Sequence, residues 1–212
     1  LGLKFDSASF IRTSSLSTAK RIEELGVHQD KVKLIRRGLA YWPTRAGFEL
    51  VNNERLEMVS VGRLVEKKGY FNQLIIVSRL NDMGIPFRLR IVGSGPLKKE
   101  LYLERARLGL RERVEFLGSL DQEGIRECYI TSDVFLFTGV VARNGDRDGI
   151  PNVIPEAMSA GCLILSSCFA GASEAFIEDV SGFSLNPFES KEWVHLLSEF
   201  WKSPRSFARI RR

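Results

Sequence analysis

From Glu57 onward, short apolar runs alternate with longer amphipathic stretches, and this alternation restricts the possible folds more than any other feature of the chain. The expected strands are Glu57–Val61, Arg88–Val92, Val114–Leu117, Val134–Phe137, Cys162–Leu165 and Gly182–Leu185. Between and after them lie expected helices over Tyr70–Met83, Leu97–Leu108, Gln122–Thr131, Asn152–Ala160 and Lys191–Trp201, with a short one around Ser173–Ile177. The first helix sets Leu74, Val77 and Leu80 on one face and stops at Gly84, and the second stops at Gly109. Strands of about five residues alternating with helices of about ten to fifteen predict βαβ units and a parallel sheet. The run Cys162-Leu-Ile-Leu is apolar throughout, as a strand covered by helices on both faces must be. The expectation is an α/β fold, an open Rossmann-like parallel sheet flanked by helices.

Before Glu57 the pattern is thinner. Phe10–Ser14 reads as a strand, Ser17 as the N-cap of a helix Thr18–Leu25 stopped by Gly26, and Val32–Arg36 as a strand ending near Gly38. Ala40–Asn53, with Pro43 and Gly47, reads as a linker. A chain of 212 residues holds one sizeable core, or one domain with a flanking piece. The organisation expected is a lead-in over 1–53, a Rossmann-like α/β domain over 54–202 and a basic tail over 203–212. Arg205, Arg209, Arg211 and Arg212 in that tail read as a solvated helix face, with a contact to anionic lipid as the sharper alternative. The net charge of +5 helps draw a di- or trianionic ligand but does not argue for nucleic acid. No apolar run is long enough to span a bilayer.

Cys128, Cys162 and Cys168 are odd in number and lack metal-ligand spacing; Cys128 and Cys162 read as reduced core residues of a cytosolic protein. His28 and His195 have no partner constellation, which leaves structural or surface roles. The chain starts at Leu1 without a signal-peptide pattern, so it reads as a segment of something longer.

In open α/β sheets ligands sit outside the carboxyl ends of the strands, so the chemistry is sought in the loops there. In Gly62-Arg63-Leu-Val-Glu-Lys67-Lys68-Gly69, Gly62 permits a tight turn, Arg63 can fork onto phosphate oxygens and Lys68 adds a cation at the start of a helix. A solvated basic helix start is an equal reading of these residues alone. Gly93-Ser94-Gly95-Pro96 is a glycine bend whose backbone can approach a ligand, but it lacks the third glycine of the dinucleotide fingerprint. Phe116-Leu117-Gly118 can line a flat base or simply end a strand. Last, Asp148 and Glu156 bracket seven residues in which Gly149, Ile150 and Pro151 lead into the helix at Asn152. Amides there can hold a phosphate and two carboxylates can hold sugar hydroxyls, although a capped helix with surface acids would read the same.

Taken together, G-R-L-V-E-K-K-G, I-V-G-S-G-P-L, V-E-F-L-G and D-G-I-P-N-V-I-P-E-A-M-S-A-G resemble, in this order, the donor-binding half of retaining glycosyltransferases of the GT-B fold. The family in question is the large group 1 type that includes sucrose synthases and many bacterial polysaccharide transferases. The resemblance runs from Val59 to Trp201, and the lead-in looks like the end of that family's acceptor-binding domain. It implies that Arg63 and Lys68 grip the donor diphosphate and stabilise the leaving group, and that Glu156 holds the ribose hydroxyls. It places Asp148 where the family usually has Glu, against the donor sugar. Gly149, Ile150 and Pro151 match the turn facing phosphates and sugar, Gly93 and Gly95 a bend beside the nucleotide, and the turn after Phe116 the base pocket.

The reaction so implied is metal-independent and needs no cofactor: a sugar leaves a UDP- or GDP-type donor for a glycan, lipid or other hydroxyl acceptor with retained configuration. The amino-terminal acceptor domain of the full-length chain is the expected partner, and the segment alone is expected to bind donor weakly and transfer little. Glycan building on a lipid carrier, common in this family, implies a cytoplasmic location with peripheral contact at the inner membrane face. Two rival readings are a GT-B-type sugar-nucleotide epimerase and a non-catalytic scaffolding module; a nicotinamide enzyme is more distant, given the incomplete glycine fingerprint.

Overall fold

The computed structural model describes residue 5 and residues 7–39, 49–169 and 171–211; the expected linker therefore lies outside the described residues up to position 48, as does Arg212. The chain opens with strand β1 (Ile11–Thr13), helix α1 (Leu16–Glu24) and strand β2 (Val32–Leu34), β1 and β2 pairing in parallel as a separate two-stranded sheet. Then follow β3 (Leu56–Val61), α2 (Tyr70–Asp82), β4 (Phe87–Val92), α3 (Lys98–Arg107), β5 (Val114–Gly118), α4 (Gln122–Ile130) and β6 (Val134–Phe137). The remaining elements are α5 (Val153–Ser159), β7 (Leu163–Ser167), β8 (Phe183–Leu185) and α6 (Ser190–Lys202).

Strands β3 to β8 form one parallel sheet in the order β5-β4-β3-β6-β7-β8. Counted from β3, that is the 3-2-1-4-5-6 order of the Rossmann fold, and the order reverses between β3 and β6. Side-chain alternation divides the sheet into two cores. Leu56 and Met58 of β3, with Val134 and Leu136 of β6, face α2 and α6, where Leu74, Leu80, Trp193 and Phe200 are fully buried. Val59, Val61, Phe135 and Phe137 face the other way, onto Tyr129 of α4 and Ile154 and Ala157 of α5. A strand buried on both faces has no polar side to present, which is why β6 reads as a continuous apolar run, while β3 interrupts its own with buried Glu57 and Ser60.

Several sequence expectations are corrected. The N-cap of α1 is Ser15, whose extended backbone lets Oγ accept from the Thr18 amide at 3.2 Å; Ser17 already lies in the first turn. Helix α5 is shorter than expected, and Asn152 precedes it without a side-chain capping bond. The tail is not wholly a solvated face. Pro204–Phe207 forms a 3-10 turn, Phe207 packs edge-on against Phe200 and Phe183, and Arg211 is buried, with Nε donating to the Gly161 carbonyl at 3.0 Å. His195 is exposed on α6, and His28 starts the 3-10 turn Gln29–Lys31 by accepting from the Asp30 amide. Cys128 and Cys162 are buried and form no disulfide among the described residues.

Candidate functional site

The crevice at the switch point is bounded by the loop after β3 and the loop after β6. Lys68 closes the 3-10 turn Glu66–Lys68, and Gly69 ends it in the left-handed region at φ 66°. No other residue fits at 69, because an added Cβ would overlap the Thr138 carbonyl. The two loops are thereby in backbone contact: Thr138 Oγ1 donates to the Gly69 carbonyl at 2.9 Å, and the Val140 amide donates to the Lys67 carbonyl at 2.9 Å.

This approach lets the charges meet. Lys68 Nζ lies 2.8 Å from Asp148 Oδ2, and Lys67 Nζ lies 3.6 Å from Asp148 Oδ1 and 3.1 Å from Asp146. The Lys68–Asp148 contact is ionic, and Oδ2 has no hydrogen bond among the described residues. Lys68 also sits over the Phe137 ring at 5.1 Å. The side chains of Lys68 and Asp148 are only 13% and 16% exposed, so their attraction is less screened than that of a surface pair.

Beside the pair opens a cleft of about 550 Å³. One wall is Lys68, Asp148 and the segment 149–153; the other is Arg12, Ser14 and Arg37 of the lead-in. The amides of Gly149, Ile150, Asn152 and Val153 have no hydrogen-bond partner among the described residues. Unpaired amides beside cations make an anion-binding surface.

The first residues of the loop after β3, Gly62–Leu64, pack against the glycine bend after β4. Gly93, at φ 134°, approaches so closely that an added Cβ would overlap the Gly62 carbonyl. The Leu64 amide donates to the Ser94 carbonyl at 2.9 Å, and the Ser119 hydroxyl donates to Ser94 Oγ at 3.0 Å. Gly95 packs on the Leu64 backbone. Arg63 is exposed on this side, its side chain without a hydrogen bond or ion pair among the described residues. Buried Tyr70 donates to the Gly62 carbonyl at 3.0 Å, and burial pushes its phenol well above the ordinary range.

The sequence candidates thus separate by place. Lys68, Asp148, Gly149, Ile150, Pro151 and Asn152 share one cleft. Gly62, Arg63, Gly93, Ser94 and Gly95 form the adjoining loops. Glu156 is half-buried one turn into α5 and does not line the cleft; its Oε2 accepts from the Tyr129 hydroxyl at 3.4 Å. Burial pushes the Glu156 carboxyl up, against the lowering effect of that bond. The Phe116 ring stacks on Tyr102 of α3 at 4.6 Å, and Leu117 packs towards the second core, so neither side chain reaches the cleft.

Sequence reasoning missed Arg12, Ser14 and Arg37, since it looked for chemistry only from Gly62 onward. The strand-end rule applied to β2 would have pointed to the Arg36-Arg37 pair. It also missed Glu174, whose carboxylate accepts from the Leu16 and Ser17 amides at 2.7 and 2.9 Å and pairs with Arg36, clamping the lead-in onto the main sheet.

The profile of the family "Glycosyl transferases group 1" matches residues 46–212. The chain belongs to the group 1 glycosyltransferases. Among relatives of this group 1 glycosyltransferase, WcaL of Escherichia coli K12, provisionally assigned to colanic acid biosynthesis, is 30% identical over 86% of this chain and 45% of its own length. The amylovoran biosynthesis glycosyltransferase AmsK of Erwinia amylovora is 31% identical over 75% of this chain and 39% of its own length. The chain therefore spans less than half the length of these curated relatives. The fold matches that of Anabaena HepE, solved with UDP (TM-score 0.79, 21% identity, 99% of this chain and 58% of that one) and with UDP-glucose (0.78, 22%, 96% and 57%). It also matches the C-terminal domain of a group 1 family protein, LpcC, of Francisella tularensis (0.63, 17%, 73% and 80%). At these identities the structures establish the fold, a GT-B Rossmann-like domain. Among the described residues, no helix is long and apolar enough to cross a membrane, and no cluster of His, Cys, Asp or Glu is placed to hold a metal ion.

Proposed function

We propose that residues 54–202 are the donor-binding, carboxy-terminal half of a retaining glycosyltransferase, and that the switch-point crevice holds a nucleoside diphosphate sugar of UDP or GDP type. The lead-in 1–53 then belongs to an acceptor half completed elsewhere in the full-length chain. The acceptor is a hydroxyl on a growing glycan or lipid-linked glycan, met at the inner membrane face. The Lys68–Asp148 pair, 2.8 Å apart beside unpaired amides at the Rossmann switch point, carries this reading. The names of WcaL and AmsK support the polysaccharide setting, and the HepE complexes support the donor class.

In the proposed reaction the bond from the anomeric carbon to the phosphate oxygen breaks, and charge develops on the departing diphosphate. Lys68 and the free amides meet that charge, with Arg63 reaching in from the adjoining loop. Each such donor lowers the barrier by about 2.7–4 kcal/mol where water is excluded. Asp148 orients the donor sugar through its hydroxyls, and Glu156, held by Tyr129 outside the cleft lining, accepts from a ribose diol that extends past the cleft towards α5. Protein cations stand where a metal would otherwise neutralise the diphosphate, so the reaction is proposed as metal-independent.

The test is calorimetric titration with UDP, GDP and ADP, without metal and with magnesium, repeated on Glu156→Ala. Binding of one nucleotide without metal, weakened in the variant, is expected. Failure of all three nucleotides to bind would refute the donor-site reading.

A further inference from the structure

The cleft carries three cations, Arg12, Arg37 and Lys68, against one carboxylate, Asp148. Lys68 is already matched by Asp148, so the uncompensated charge stands on the opposite wall. There the two neighbouring arginines differ. Arg36 is occupied: Nη1 donates to the Glu174 carbonyl at 3.1 Å and Nη2 lies 3.5 Å from Glu174 Oε2. Arg37 is exposed and its guanidinium has no partner among the described residues. It borders both the main cleft and a smaller cavity of about 170 Å³ that shares Ser14, Ile150 and Asn152 with it.

The mount of this wall is held at several points. The Ile35 amide donates to the Thr13 carbonyl at 2.8 Å, fixing the segment that leads to Arg37. Arg12 donates through Nε and Nη2 to the Ile35 carbonyl at 3.2 and 3.1 Å, so its plane is set while Nη1 stays free among the described residues. Glu174 ties α1 of the same lead-in to the sheet through two amides. Donors therefore face each other across the cleft: guanidinium groups on the lead-in wall, unpaired amides of 149–153 on the other. Opposed donors suit a tetrahedral oxyanion, which accepts hydrogen bonds in all directions, better than a carboxylate, which accepts them in one plane.

We propose that Arg37, with Arg12 beside it, forms a phosphate subsite that the lead-in contributes to the cleft. The proposal rests on the donor-site reading above. The phosphate belongs either to the donor diphosphate or to a phosphate-bearing acceptor, and both present the same chemistry to the guanidinium.

Two titrations of wild type and Arg37→Ala separate these sources. In the first, UDP or GDP is titrated alone; in the second, inorganic phosphate is titrated into nucleotide-saturated protein. Because the Arg37 side chain is exposed and unpaired, the variant should melt with the wild type. A loss of about tenfold in nucleotide affinity assigns the subsite to the donor, in line with a charge-assisted bidentate contact. A loss confined to the second titration assigns it to an acceptor phosphate. Unchanged affinity in both, with Lys68→Ala impaired in the first, overturns the subsite and leaves the donor reading standing. If wild type binds no nucleotide, the donor reading falls, and inorganic diphosphate then decides the subsite: binding lost in Arg37→Ala keeps it, and no binding removes it.

Discussion

Asp148 and a bound diphosphate would compete for the same ammonium group, because Lys68 Nζ is 2.8 Å from the carboxylate. Asp148→Asn is therefore expected to bind UDP at least as tightly as wild type while losing the added affinity that a sugar gives to UDP-sugar. Calorimetry with both ligands checks it, and weaker UDP binding would overturn the competition. Glu156 differs because burial raises its pKa. The fold thus favours the neutral acid, so this stabilising contribution is complete below the ordinary carboxyl pKa and is lost as pH rises through the raised value. Glu156→Gln cannot ionise, so its stability relative to wild type should improve from acid to neutral pH. Thermal melts across that range test the sign, and a pH-independent difference would refute it.

At the element scale, α1 has its first-turn amides satisfied from two directions: Ser15 caps Thr18, while Glu174 takes Leu16 and Ser17 from across the structure. Burial works against the Glu174 carboxylate, but the amide bonds from Ser17 and Leu16, with Arg36, outweigh it and its pKa is lowered. That contribution is present above the ordinary carboxyl pKa and is lost as pH falls through the lowered value. Glu174→Gln is expected to cost about 1–3 kcal/mol at neutral pH, read from denaturant unfolding, with faster exchange of the Leu16 and Ser17 amides. Exchange at wild-type rates would show that the clamp does not hold the helix. The element boundaries also show what local signals miss. Val134–Phe137 was legible to the residue, being bounded by polar Asp133 and a loop, whereas Ser15 and Ser17 are both good caps and only the observed backbone decides between them.

For the whole molecule, the two cores lie on the faces of the six-stranded sheet, and the lead-in is attached to it through Glu174 and one wall of the cleft. A chain beginning at Glu49 should therefore keep the sheet folded, with the circular dichroism of an α/β domain, yet bind nucleoside diphosphate more weakly than the full chain. Equal affinity would show that the lead-in wall takes no part. The α/β class and the six strands were readable from periodicity, and Lys68, Asp148 and 149–152 could be singled out as candidates one loop at a time, because apolar spacing and glycine and proline punctuation act over a few residues. The meeting of Lys68 with Asp148 was not, nor the turning of Phe116 onto Tyr102, the burial of Arg211 or the arrival of Arg12 and Arg37 at the cleft. Those depend on which strand lies beside which and on how loops distant in sequence pack together, and only the tertiary structure decides that.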